Sequence, residues 1–183
     1  MPPRSQVAAV NAPRVVITGI GLWTPLGSDR ESTWQSLIAG RSGSRWLTAP
    51  QWSGSSPVAG APCEIPPATI EDGVDPVIDL ARLVSIEAIE DAGLGPLLLS
   101  QDSTGVVFGT SKGGLHTASK LLSAPRIGNE DGGSWLDVWP NPEALAVVRT
   151  IAWPRPALAP VADCPTGLAA CMRGYEFIRD GRC

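Results

Sequence analysis

With 183 residues, 43% of them apolar, the chain can bury one sizeable core, which makes it about one globular domain and excludes a wholly disordered protein. Its net charge of −4 excludes a basic nucleic-acid footprint, and no apolar run approaches the roughly 20 residues of a membrane span. Cys63, Cys164, Cys171 and Cys183 form no C-x-x-C pair, which argues against a metal site or disulfide framework and predicts free thiols in a reducing, cytoplasmic compartment.

Residues 1–13 read as a disordered lead, since Met1 to Ala12 carries one Arg and no long apolar core. Arg14-Val15-Val16-Ile17-Thr18 then reads as a buried strand feeding a tight turn at Gly19-Ile20-Gly21. A helix follows. Ser28-x-x-Glu31 fits a capping box, Trp34, Leu37 and Ile38 form its apolar face, and Gly40 stops it. From Arg41 to Gly73 Ser, Gly and Pro dominate, which predicts a long irregular excursion anchored by Trp46 and Trp52.

Asp75-Pro76 opens the next helix as N-cap and first helical residue. Leu80, Leu83, Ile86 and Ile89 make its apolar stripe, and Asp91-Ala92-Gly93 closes it. Thr104 to Gly109 reads as a second buried strand, followed by a glycine-rich turn to Leu115 and a helix to about Ser123. Arg126 to Asn141 is polar and glycine-rich, and Pro142 to Ile151 reads as helical. Ala157 to Ala162 is an apolar run that predicts a short buried strand, and Pro165 to Asp180 a final helix burying Leu168, Cys171 or Met172, Tyr175 and Ile178. The alternation of strands and helices argues a layered α/β fold with a largely parallel central sheet.

The chemistry concentrates at Asp163-Cys164-Pro165-Thr166-Gly167. It places a thiol between the end of a strand and the mouth of a helix. Unpaired backbone N–H groups and the positive end of the helix dipole converge there and favour a thiolate. Pro165 suits a first helical turn. Asp163 acts the other way, because its carboxylate opposes a thiolate beside it unless it turns away to cap the helix. The bland alternative is a small, inert residue at a strand–helix junction. His116, the one histidine, is the local candidate for a base, or else an ordinary solvated histidine past a glycine turn. Gly19-x-Gly21 lacks the third glycine of a dinucleotide fingerprint, and Gly109 to Gly114 lacks the ending of a P-loop. Close backbone packing explains both better.

Five stretches together resemble the β-ketoacyl-acyl carrier protein synthases. The opening Arg14-Val-Val-Ile-Thr-Gly-Ile-Gly-Leu-Trp-Thr-Pro-Leu-Gly27 resembles their first strand and turn, and Trp34 through Ser42-Gly43 their first helix and its exit. Glu90-Asp-Ala-Gly-Leu94 resembles the end of their second long helix, and Val106-Val-Phe-Gly-Thr-Ser-Lys-Gly-Gly-Leu115 their glycine loop. Asp163-Cys-Pro-Thr-Gly-Leu-Ala-Ala170 resembles the active-site elbow, with Phe177-Ile-Arg-Asp-Gly-Arg182 as the end of its helix.

The resemblance spans residues 14 to 182. It implies the N-terminal half of the thiolase-like α/β/α fold, with a central mixed, mostly parallel sheet and an incomplete synthase domain over residues 14–183. It implies Cys164 as the acyl-accepting nucleophile, with its backbone N–H in the oxyanion hole. Acyl transfer to Cys164 would precede decarboxylative Claisen condensation with a malonyl unit, in fatty acid or polyketide synthesis. No bound cofactor and no metal is implied, since substrates ride on the phosphopantetheine of acyl carrier protein. The implied partners are that carrier protein and a second synthase subunit, as a homodimer or a heterodimer with a synthase-like chain.

The chain departs from the family pattern at Asp163 and Pro165, where small residues are usual, and at Lys112, in place of a small or apolar residue. The family's two catalytic histidines and its lysine belong to a C-terminal half outside these residues, and His116 matches none of them. Two alternatives therefore stand: a truncated, non-catalytic synthase-like subunit or relic that only binds, and a thiolase-type enzyme using coenzyme A.

Overall fold

The computed structural model describes residues 14–47, 57–66, 74–95, 104–123, 141–151 and 156–183. The expected lead over residues 1–13, Trp52, and nearly all of the Arg126 to Asn141 stretch lie outside them.

Three helices and two short strands build the centre. Helix α2 (Pro76–Asp91) starts as its sequence predicts: the Asp75 carboxylate accepts from the Val77 N–H at 3.3 Å, and Pro76 fills the first turn. Gly93 ends it at φ +65°, a conformation that costs glycine little. Strand β3 (Val106–Val107) pairs in parallel with β4 (Ala157–Leu158), in the register Val106 to Ala157 and Val107 to Leu158. Helix α3 (Leu115–Ser123) follows the glycine loop, and α4 (Pro142–Thr150) precedes β4. Helix α5 (Thr166–Arg179) ends the chain's regular structure.

Strand geometry sorts these elements into layers, because successive side chains point to opposite faces. Val106 faces one way, into a buried cluster with Ala81 of α2, Val147 and Val148 of α4, and Ile151. Val107 faces the other way, toward Ala170, Phe177 and Ile178 of α5. The sheet is thus covered by α2 and α4 on one side and by α5 on the other. This is the layered α/β arrangement expected from the sequence, and the parallel β3–β4 pair is the described part of its central sheet. No helix among the described residues is long and apolar enough to cross a membrane.

Several expectations are corrected. Residues 14–18 form no strand among the described residues, and Val16 and Ile17 are exposed. The reason lies just downstream. The N–H groups of Ile20 and Leu22 donate to the carboxylates of Asp91 (2.9 Å) and Glu87 (2.8 Å) on α2. Gly19 and Gly21 lie so close to the α2 backbone that a Cβ at either would overlap it. The segment is laid along a helix, so those N–H groups are taken by side chains rather than by a sheet edge.

Helix α1 (Arg30–Ile38) is capped by Asp29, one residue later than the Ser28 capping box predicts. The Asp29 carboxylate accepts from the Ser32 N–H at 2.7 Å, and hydrogen bonds from Ser32 hold it below the usual carboxylate range. Its apolar face is turned outward: Trp34, Leu37 and Ile38 are exposed, while Thr33 and Ser36 are buried. The Thr33 hydroxyl lies 3.0 Å from that of Thr24 and donates to the Gly27 carbonyl at 3.3 Å. These polar contacts to the Thr24–Gly27 turn set which face points in.

The excursion after Arg41 is not wholly irregular. Strands β1 (Arg45–Leu47) and β2 (Val58–Gly60) pair antiparallel within it, and Trp46 is exposed rather than an anchor. Strand β4 is shorter than Ala157 to Ala162 and is exposed. Helix α5 buries Thr166 and Phe177, whereas Leu168, Cys171, Met172, Tyr175 and Ile178 are exposed. On α5, then, the ring of Phe177 carries the contact with the sheet layer. On α2, Ala81 is more buried than any residue of the expected leucine and isoleucine stripe, and it shares a buried cluster with Val147 and Val148 of α4.

Two truncations separate the observed core from the sequence-expected one. Val148→Ala should lower unfolding free energy by about 2 kcal/mol, through lost burial and a residual cavity. Ile17→Ala should change it by less than about 0.5 kcal/mol, as expected of an exposed side chain. Denaturant titration of both variants measures this, and a large loss in Ile17→Ala would mean that residues 14–18 are a buried strand.

Candidate active site

The chain leaves β4 through Pro160 and turns sharply before α5. Asp163 makes the turn at φ +51°, the one non-glycine among the described residues in the left-handed region. Aspartate tolerates that region better than most residues, because its short polar side chain can bond locally. Cys164 follows and is exposed, and Pro165 precedes the first residue of α5. Pro165 is therefore one position outside the helix rather than its first residue.

Thr166 closes this elbow. It is 4% exposed, although it stands at the edge of the site. Its hydroxyl donates to the Asp163 carbonyl at 2.6 Å and accepts from the Ala162 N–H at 2.9 Å. Its own N–H also donates to the Asp163 carbonyl, at 3.2 Å. Residues on both sides of Cys164 are thus tied together by one side chain, and the thiol stands between them at the helix mouth. Sequence reasoning missed Thr166. The available signal was a Ser/Thr three residues after an Asp at a strand–helix junction.

The glycine loop, residues 109–114, lies beside the elbow. A Cβ at Gly109 would meet the Thr166 methyl group at 2.7 Å and the Pro160 carbonyl at 3.0 Å. The close-packing reading of these glycines holds here, and it holds again at Gly113, which sits against Glu143 of α4 and Thr110. Lys112, at the outer edge of the loop, reaches Asp163: its Nζ is 3.4 Å from Oδ1, and both side chains are exposed. Sequence reading noted both residues as departures without linking them. Their separation of 51 positions hides the contact.

Beneath the loop two carboxyls are buried. Asp75 caps α2 and also accepts from the N–H (3.0 Å) and hydroxyl (3.1 Å) of Thr117 in the first turn of α3. Glu143, in the first turn of α4, is 1% exposed, and its Oε2 has no hydrogen-bond partner among the described residues. Burial pushes the Glu143 carboxyl up, its own backbone N–H opposes this, and the Asp75 charge adds to the rise.

His116 lies exposed on the first turn of α3, and no hydrogen bond among the described residues joins it to Cys164. Cys63 is half-buried, with its thiol 3.9 Å from the Trp23 carbonyl, and burial pushes it up. Cys171 is exposed on α5, and Cys183 is half-buried beside Gly105. Among the described residues no group of three or more His, Cys, Asp or Glu could hold a metal ion.

Residues 12–183 match the family described as Beta-ketoacyl synthase, N-terminal domain. The chain is 34% identical to the tetracenomycin polyketide synthase ketoacyl synthase alpha subunit of Streptomyces glaucescens, over 92% of this chain and 43% of that protein. It is 32% identical to 3-oxoacyl-acyl-carrier-protein synthase 2 of Coxiella burnetii, over 62% of this chain and 30% of that one. Among solved structures, a β-ketoacyl synthase from Burkholderia phymatum superposes with a TM-score of 0.71 at 26% identity, covering 92% of this chain and 44% of the other. The ishigamide ketosynthase/chain length factor shares the fold with a TM-score of 0.74 at 23% identity, over 93% and 45%. The chain spans less than half the length of these relatives.

The buried Glu143 carboxyl should mark the pH dependence of stability. Folding favours its protonated form, so its contribution is fully present below the unfolded-state value, near 4.5, and is lost as pH rises through the higher folded value. Glu143→Gln keeps the shape and removes this titration. Melting temperatures measured from about pH 4 to about pH 8 should fall less with rising pH in the variant than in the wild type. Parallel curves would show that folding leaves the Glu143 carboxyl unshifted.

Proposed function

The chain belongs to the β-ketoacyl synthase family, and from that premise we propose that Cys164 accepts an acyl chain from a thioester on the phosphopantetheine arm of acyl carrier protein. The observation that carries this reading is the exposed thiol at the mouth of α5, held in an elbow closed by buried Thr166. The Cys164 sulfur, as thiolate, attacks the thioester carbonyl carbon. The carbon–sulfur bond to pantetheine breaks, and the pantetheine sulfur leaves with the electron pair and takes up a proton. A new thioester on Cys164 remains. Charge develops on the carbonyl oxygen during attack, and the Cys164 backbone N–H, before the first turn of α5, supplies a donor for it. The helix dipole favours the charge that develops on that oxygen.

The second half of the proposed reaction is decarboxylative condensation with malonyl-carrier protein. None of the residues described above supplies a base or a carboxylate-polarising group at Cys164. By the family resemblance that step draws on the two histidines and the lysine of the C-terminal half. Similarity over most of the chain to a ketoacyl synthase alpha subunit of a polyketide synthase supports a polyketide pathway over a fatty acid one. A pairing with a second synthase subunit, as homodimer or heterodimer, belongs to the same proposal.

A second reading, a subunit that only binds, is favoured by Asp163 and Pro165, which flank Cys164 where the family pattern has small residues, and by the family's histidines and lysine lying in the C-terminal half. The two readings separate by acyl capture. Incubated with an acyl-pantetheine thioester, the chain should gain one acyl group on Cys164, located by peptide mass spectrometry, and Cys164→Ala should gain none there. Cys63, Cys171 and Cys183 should label several-fold more slowly. Equal labelling of all four cysteines would reduce Cys164 to an ordinary exposed thiol and leave the binding-only reading standing.

A further inference from the structure

Two of the chain's departures from its family meet in space. Asp163 puts a carboxylate directly before the nucleophile. Lys112 puts an ammonium in a glycine loop that otherwise carries small or apolar residues. The structure brings them to 3.4 Å, across the gap between the 109–114 loop and the elbow. We propose that Lys112 is a positioning residue for Cys164: it pairs with the Asp163 carboxylate, draws that charge toward the glycine loop, and leaves the thiol in a locally neutral field. The inference rests on the reading of Cys164 as the acyl-accepting thiol.

Three observations carry it. First, Asp163 cannot be an innocent surface residue, because its backbone forms the turn at φ +51° and its carbonyl takes two hydrogen bonds from Thr166. Its side chain therefore leaves from a fixed point one residue from the thiol. Second, that side chain does not cap α5: no side-chain cap bond is made there, and its described partner is Lys112. Third, the Lys112 end of the pair is also fixed. Gly113 is wedged against buried Glu143, and Gly109 against Thr166, so the loop holds its distance from the elbow.

The pair is exposed and adds little to global stability. Its effect is local. In a water-like medium a unit charge on the order of 6 Å from a reacting atom changes reaction with a charged reagent about threefold, and added salt screens it.

The test compares iodoacetate with iodoacetamide. Both alkylate the same thiolate, so the ratio of their rates at Cys164 cancels thiolate fraction and access and reports the local potential. Rates are measured on the full chain by mass spectrometry of the Cys164 peptide at low ionic strength. Lys112→Ala should lower the iodoacetate-to-iodoacetamide ratio about threefold, and about 0.5 M salt should remove the difference. Lys112→Arg should keep the wild-type ratio. Asp163→Asn should raise it, and the Lys112→Ala, Asp163→Asn double variant should return to the wild-type ratio. A ratio unchanged in Lys112→Ala, or a double variant as low as Lys112→Ala, overturns the proposal. Acyl capture run alongside keeps the two readings apart: loss of capture in the wild type condemns the acyl-accepting role, whereas the ratios alone judge the pair.

Discussion

Everything around Cys164 depends on how closely the 109–114 loop approaches its neighbours. At Gly109 there is no room for a Cβ between the backbone and Thr166, and at Gly113 none between the backbone and Glu143. One loop thereby touches the helix at whose mouth the nucleophile stands and the helix that builds the core. The core cluster of Ala81, Val106, Val147, Val148 and Ile151 is apolar and sets where α4 lies. Through Gly113 and Gly109 that position is passed to the elbow. A side chain at either glycine would push the loop away from α4 or α5, and the geometry at Cys164 would follow.

The charges are divided between an inside and an outside by this same loop. Inside, Asp75 and Glu143 are both buried: burial pushes the Glu143 carboxyl up, the Asp75 charge adds to the rise, and Asp75 takes three hydrogen bonds. Outside, Asp163 and Lys112 pair in solvent beside the thiol. The buried pair bears on stability, because its partners cannot be replaced by water. The exposed pair bears on reactivity, because it stands one residue from the sulfur and contributes little elsewhere.

Much of the fold was legible because the signals are local. Asp75-Pro76, Gly40 and Gly93 mark helix ends by their own backbone chemistry, and α2, α3, α4 and α5 start or stop within a residue or two of the positions their capping and glycine signals indicate. Which face of a helix is buried was less legible. The apolar side of α1 points outward because Thr33 is held by Thr24 and Gly27, and that of α5 because Phe177 makes the contact with the sheet layer. Apolar periodicity states which face could be buried. It does not say what lies opposite. The apolar run at residues 14–18 misled in a related way: the turn just after it is held by Asp91 and Glu87 of α2, and the run itself forms no strand among the described residues.

By itself the sequence determined the family, the layered α/β class and the location of the thiol between a strand and a helix. Those follow from residue order: turn formers, caps and a cysteine in one stretch of chain. Only the tertiary structure decided what surrounds that thiol. Thr166 ties the elbow, Glu143 is buried beneath the loop, and Lys112 crosses 51 positions to meet Asp163. Such contacts depend on the distance between elements after packing, and composition and periodicity carry no information about that distance.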